Sequence, residues 1–179
     1  MGSDSLQSLL PLLGMISTFL RADAQSGGKW TREHGRYHSL LEPLSKLLHC
    51  QIPEDFPMPP SEFTPFEFVV EENENGSVVG CLTSLALAAG DEQLWKPLNH
   101  AILEACGNAT RSQVRKGGIV CLLSLIRNLG EEYMVLLPEC LPVLAELLED
   151  ENEVVAGLSR DAISAAEELL GESLEANLK

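Results

Sequence analysis

The sequence predicts an all-α protein built as a stack of antiparallel helical hairpins, about six to seven helices in all. Three observations carry that expectation. Leu and Ala dominate an apolar content of 45%, while aromatics make up 5%, a balance that favours helices over sheets. Apolar residues recur at spacings of three and four, which places them on one helical stripe. Three Leu- or Ala-rich stretches each end in glycine, at Gly90, Gly130 and Gly171, 40 and 41 residues apart.

A period of about 40 residues belongs to helical-hairpin arrays of the HEAT and armadillo type. Glycine at each repeat end has a physical reason. A helix often stops on a residue in the left-handed region, which Gly enters without steric cost. With 179 residues, the chain is long enough for one packed core. The expected organisation is therefore a single HEAT/armadillo-like α-solenoid over 1–179.

The last repeat, 131–171, shows the pattern best. Leu136-Leu137-Pro138 leads into a stripe of Leu141, Val143, Leu144, Leu147 and Leu148. The run Glu149-Asp150-Glu151-Asn152 breaks the stripe and supplies a cap, with acidic groups facing the positive end of the next helix dipole. The second helix then carries Val154, Val155, Leu158, Ala162, Ile163, Ala166, Leu169 and Leu170. The middle repeat, 94–130, is a weaker copy. Its first helix is predicted to start near Pro97, its turn to be Gly107–Thr110, and its second helix to bear Val114 through Leu129.

The earliest complete repeat, 37–90, pairs a helix over 37–49 with one over 77–89. Between them lies an insertion, 51–76, rich in Pro, Phe and Glu. Five prolines there forbid a continuous helix. Phe56, Phe63, Phe66 and Phe68 either pack on the same chain or await a partner. A helix over 5–21 would be the second member of a preceding hairpin, followed by the linker Ala24–Gly28. Its missing mate leaves an apolar face unpaired, so the chain reads as the carboxy-terminal segment of a much longer solenoid.

The search for chemistry finds no catalytic constellation. A formal net charge of −15 opposes direct nucleic-acid binding, which rests on Lys and Arg displacing counterions. From Glu131 onward, thirteen acidic residues face only Arg160 and Lys179. They form either a solvated helix face or a docking surface for a basic partner. The five cysteines, Cys50, Cys81, Cys106, Cys121 and Cys140, lack CxxC spacing and are expected to be reduced, buried thiols. His34 and His38 stand four apart without an HExxH pattern. The fragment Gly27-Gly28-Lys29-Trp30-Thr31 lacks the leading glycine of a phosphate loop. Asn108-Ala109-Thr110 matches a glycosylation sequon with nothing else to suggest secretion. The run Leu6–Leu20 lacks the positive start of a signal peptide and is too short to span a bilayer. The expectation is no enzyme, no cofactor, no metal, no membrane and no small-molecule substrate.

Certain stretches are specific enough to suggest a family. They are Leu94-Trp95-Lys96-Pro97-Leu98-Asn99-His100, Gly130-Glu131-Glu132-Tyr133-Met134-Val135-Leu136-Leu137-Pro138-Glu139, Leu144–Asp150 and Gly171–Leu174. Together they resemble the extreme carboxy terminus of the HEAT repeat-containing protein 1 family, also called U3 small nucleolar RNA-associated protein 10. The similarity is dense from Leu94 to Leu174 and looser over Tyr37 to Gly90. It implies a non-catalytic scaffold of the nucleolar small-subunit processome, in the nucleus. It also implies a role in ribosomal DNA transcription and pre-18S rRNA processing. Partners would be other processome proteins, with pre-ribosomal RNA and U3 snoRNA reached indirectly.

Read from the residues themselves, the signature positions form a candidate protein-contact or repeat-interface set. Trp95 is either a core plug or a partner contact. Pro97 suits a first helical turn. Asn99 and His100 cap or hydrogen-bond between helices. Glu131 suits a helix start, and Tyr133 buries its ring while its hydroxyl stays wet. Arg111, Arg115 and Lys116 sit at the helix end that disfavours cations. They are either solvated charge or a contact cluster. The reading from a different class is an adaptor that grips basic peptides on an acidic face.

Overall fold

The computed structural model describes residues 3–50, 77–171, 173 and 174. Among them are seven α-helices and one 3-10 helix, with no strand. In order they are α1 (Ser3–Gln25), α2 (His34–Leu48), α3 (Val78–Ala89), α4 (Glu92–Cys106), α5 (Ser112–Leu129), the 3-10 helix (Gly130–Leu136), α6 (Leu137–Leu147) and α7 (Glu153–Leu170). The chain divides into two compact units, Met1–Leu94 and Trp95–Lys179, with the boundary inside the first turn of α4. The predicted insertion 51–76, with its four phenylalanines, lies outside the described residues.

The all-α expectation holds, and the packing is of the HEAT kind. In the first unit α3 lies against both α1 and α2; in the second, α7 lies against both α5 and α6. In each unit the later helix thus covers two earlier ones.

In the first unit, α3 is apolar on nearly every side and correspondingly buried from Val79 through Ala86 apart from Gly80, as expected of a helix enclosed by neighbours. Ser77 caps it, its Oγ accepting from Gly80 N at 2.9 Å. Leu13, Ser17 and Leu20 of α1 are buried. Ser17 Oγ lies 3.3 Å from Ser84 Oγ, and Cys81 Sγ donates to the Leu13 carbonyl at 3.1 Å. The helix α1 outruns its expected limits of 5–21, passing through Pro11 and absorbing the first two linker residues. The helix α2 starts before residue 37 because Glu33 acts as its cap, accepting from Gly35 N at 3.1 Å.

The turn after α1 is anchored by Asp23. Its carboxylate accepts from Trp30 N at 3.2 Å and Thr31 N at 2.9 Å. Burial alone would raise its pKa, but hydrogen bonds from Thr31, Trp30 and Ser26 outweigh that and hold it below the usual carboxylate value. Arg32 Nε reaches the Ala89 carbonyl at 2.9 Å, satisfying a carbonyl left open at the end of α3. The glycine-rich stretch once comparable to a phosphate loop is therefore a structural clamp on α3.

The helix α4 begins at Glu92 rather than near Pro97. Asp91 explains the earlier start, since its Oδ1 accepts from Gln93 N at 2.8 Å. Pro97 consequently lies inside the helix, not in its first turn. The helices α4 and α5 approach closely at Gly118, where an added Cβ would sit 2.7 Å from Cys106 N and Sγ. Asn152 caps α7 as expected, its Oδ1 accepting from Val154 N and Val155 N at 3.2 and 3.3 Å. Ser159 Oγ donates to the Leu144 carbonyl at 2.6 Å and ties α6 to α7. The repeat-end glycines Gly90 and Gly171 adopt left-handed backbone at φ 51° and 70°.

One expectation about the thiols needs correction. All five cysteines are free, and Cys81, Cys106, Cys121 and Cys140 are buried, but Cys50 is exposed. It falls just past the end of α2, beyond the stripe that faces inward.

Gly28 is the position where the clamp tolerates no side chain. Its φ is 68°, and an added Cβ would lie 1.9 Å from the Ala88 carbonyl oxygen. Gly28→Ala is expected to lower stability by about 2 kcal/mol or more, through left-handed strain together with displacement of the turn. Urea unfolding followed by circular dichroism checks this. A variant as stable as the parent would show that the turn is not clamped on α3.

Candidate repeat-interface and contact residues

The signature residues separate into a buried group and an exposed one. Trp95, Asn99, Arg115 and Tyr133 are buried, with Asn99 and Tyr133 fully so. His100 and Glu131 are exposed, and Pro97, Arg111 and Lys116 are half-buried.

The helix α4 presents Trp95, Leu98, Asn99 and Ile102 at spacings of three and four, so an amide appears on an otherwise apolar stripe. A buried amide needs partners, because leaving one of its groups unmade costs about 1–3 kcal/mol. Its partners come from the 3-10 helix and α6. Tyr133 Oη donates to Asn99 Oδ1 at 2.6 Å. Cys140 Sγ donates to the same oxygen at 3.3 Å and lies 3.4 Å from Tyr133 Oη. Asn99 Nδ2 donates in turn to Glu139 Oε2 at 3.2 Å. Burial pushes the Tyr133 hydroxyl and the Cys140 thiol up from their ordinary pKa values, so both remain protonated donors.

The expectation of a wet Tyr133 hydroxyl is thus wrong. The 3-10 helix turns the phenol inward, where Asn99 accepts from it. Glu131 likewise opens this 3-10 helix rather than an α-helix, and α6 begins only at Leu137. His100 takes no part in the network and pairs at the surface with Glu104, Nε2 to Oε1 3.6 Å.

A second polar link is built around Arg115. Its Nη2 donates to Asp150 Oδ1 at 2.9 Å, and its Nη1 donates to the Asn108 carbonyl at 3.0 Å. Its Nε approaches Asp150 Oδ2 at 2.7 Å, an ion contact too bent to count as a hydrogen bond. Both side chains are more than nine-tenths buried. One guanidinium therefore joins the turn before α5 to the turn before α7. The three cations do not act as one cluster. Arg115 is internal, whereas Arg111 and Lys116 retain partial exposure. The hydrogen bond and charge of Arg115 override burial and hold the Asp150 carboxyl below its ordinary pKa.

Glu139, Cys140, Asp150 and Asn108 were not among the candidate contact or interface residues read from sequence. A signal existed for two of them. Asn108 and Asp150 occupy equivalent turns and both make side-chain-to-backbone turns. Asn108 Oδ1 accepts from Arg111 N at 2.9 Å, and Asp150 Oδ1 accepts from Asn152 N at 2.8 Å. The sequon asparagine is thereby engaged within its own turn. The rings of His34 and His38 meet edge to face, 4.2 Å between centroids. Among the described residues no three His, Cys, Asp or Glu side chains converge on a metal position, and no helix is long and apolar enough to cross a membrane.

Two outcomes are expected of this arrangement. Tyr133→Phe removes the main donor to Asn99 and should cost about 1–2 kcal/mol, read as a lowered urea midpoint with unchanged helicity. Asp150→Ala strands a buried guanidinium and should cost about 3 kcal/mol. The Asp150 pKa is lower folded than unfolded, so its contribution is fully present above the unfolded value near 3.8 and is lost as pH falls through the folded one. The gap between parent and Asp150→Ala should therefore close in acid. A gap that is constant from pH 7 to strongly acidic conditions would remove the ion pair from the account.

No family model matches the chain. An uncharacterised protein of Arabidopsis thaliana is 42% identical over 142 residues, covering 77% of this chain. HEAT repeat-containing protein 1 of Homo sapiens is 38% identical over 105 residues, or 59% of the chain. U3 small nucleolar RNA-associated protein 10 of Chaetomium globosum is 38% identical over 102 residues, or 57% of the chain. The chain spans only 6%, 5% and 6% of these three proteins. It is homologous to proteins bearing both names over somewhat more than half of its own length.

Proposed function

We propose that this chain is a non-catalytic scaffold segment that works in ribosome biogenesis by holding proteins of the small-subunit processome together in the nucleolus. The observation that carries this reading is the homology to proteins named for U3 small nucleolar RNA association. The helical hairpins supply a suitable device, since stacked helices offer ridges and turns as contact surface rather than a cleft. The charge of −15 supports contacts to protein, with pre-ribosomal RNA and snoRNA reached through neighbours.

Within that role, the exposed signature residues His100 and Glu131, with the half-exposed Lys116, serve outward contacts. Trp95, Asn99, Tyr133 and Arg115 hold the hairpins that present them. A second reading, an adaptor for basic peptides, draws on the acidic excess after Glu131. It requires binding that weakens steeply with salt.

The test is affinity purification of the tagged chain from nuclear extract, with and without ribonuclease. Processome proteins are expected in the eluate, and they should persist after ribonuclease treatment. Glu131→Lys and Lys116→Glu variants that keep the parent's helicity should recover less. An eluate without processome proteins, or one emptied by ribonuclease, overturns the reading. Recovery of lysine-rich proteins that falls away with modest salt would favour the adaptor.

A further inference from the structure

The outer side of α6 carries apolar residues where a helix with one packed face ordinarily carries polar ones. Pro138 and Pro142 each stand two residues from a buried member of the core stripe, Cys140 or Leu144. At 100° per residue they lie on the opposite side of the helix, and both are exposed. Met134 and Val135 continue the strip onto the 3-10 helix, exposed at 37% and 48%. Acidic side chains border it. Glu132 stands at its start, Glu139 and Glu146 along one margin and Glu149 at its end, all exposed. Pro142 adds a different feature. It lies inside α6 and has no N–H, so the Pro138 carbonyl lacks the donor that a helix normally supplies four residues on.

We propose that this strip docks an amphipathic segment of a partner protein, with aliphatic side chains on the strip and Lys or Arg along its margins. Charge complementarity chooses that occupant. Between Gly130 and Ser159 the chain has eight Asp and Glu and no Lys, Arg or His. Asp150 is answered by Arg115. Among the described residues, no cation pairs with Glu132, Glu146 or Glu149. A second copy of the chain would bring the same carboxylates against these, and a nucleic acid would bring phosphates. The open Pro138 carbonyl likewise calls for a donor, and a lysine ammonium offers three. The apolar strip fixes where the segment sits, while the acidic margin steers it and rejects partners of the wrong sign. The strip is small beside a standard interface, so the contact is weak, in the micromolar range or above. This deepens the scaffold reading by naming one contact and its occupant. Recovery of processome proteins can stand while this contact fails.

Fluorescence anisotropy of the intact chain tests it. The probe is a labelled peptide of about eighteen residues, with Leu at helical spacing flanked by Lys and Arg. A scrambled peptide of the same composition is the control. The matched peptide should bind at least about fivefold more tightly than the scrambled one, because only it presents an apolar stripe. Binding should weaken as salt rises without vanishing, since salt screens the margin and leaves the apolar contact. Glu146→Lys with Glu149→Lys should weaken it about tenfold at low salt. Val135→Ser should weaken it at low and high salt alike. Glu168→Lys, at an exposed position of α7, should bind as the parent does. Pro142→Ala restores the missing N–H, so it should stabilise α6 yet bind more weakly. That opposition separates a docking role from a structural one. Equal binding of the scrambled peptide, or an equal loss from Glu168→Lys, reduces the effect to bulk charge and overturns the proposal. So does a Pro142→Ala variant that binds like the parent. Self-association of the chain that Val135→Ser abolishes would make a second copy the occupant, and would overturn it too.

Discussion

The described α-helices, 11 to 23 residues long, cannot hold themselves together in water by backbone hydrogen bonds, because nucleation is costly and each end leaves groups unpaired. Each needs its apolar stripe covered by another helix. Every feature of the described structure answers to that need. The helices α3 and α7 each lie against two earlier helices, and the loops serve mainly to set those helices side by side. Capping by Ser77 and Asn152 fixes where helices start. The Asp23 clamp and the Arg115 link fix how their ends are held.

The polar links do different work from the apolar stripes. Leucine stripes favour contact but tolerate sliding, since dispersion and burial are not directional. Asn99 with Tyr133, and Arg115 with Asp150, are directional contacts that hold in one geometry. We hypothesise that they fix the register of the 3-10 helix and of the two turns against the apolar packing. Together they make the second unit more than a collapsed set of amphipathic rods.

Much of this architecture was legible in the residues. The 3.6-residue stripes, the glycine period and the Asn152 cap are local signals, and local signals are read from neighbours in sequence. The start of α4 was missed because Pro97 outweighed Asp91 as a start marker, though an Asp cap two residues before Gln93 satisfies a donor that proline merely lacks. Tyr133 was placed half in water because its partner, Asn99, is 34 residues away. Arg115 looked like surface charge for the same reason, its partner being 35 residues on. A charge that is neutralised only by the fold is indistinguishable, in a string of letters, from one that faces solvent.

The distribution of sulfur has a practical side. Cys81 belongs to the first unit, and Cys106, Cys121 and Cys140 to the second. Burial raises the pKa of all four, that of Cys81 to about 12, so none offers thiolate to a reagent while the helices stay closed. Alkylation of each thiol thus clocks the breathing motions of its own surroundings. The protein carries four native stopwatches, at least one in each half, and they need no foreign label to be read.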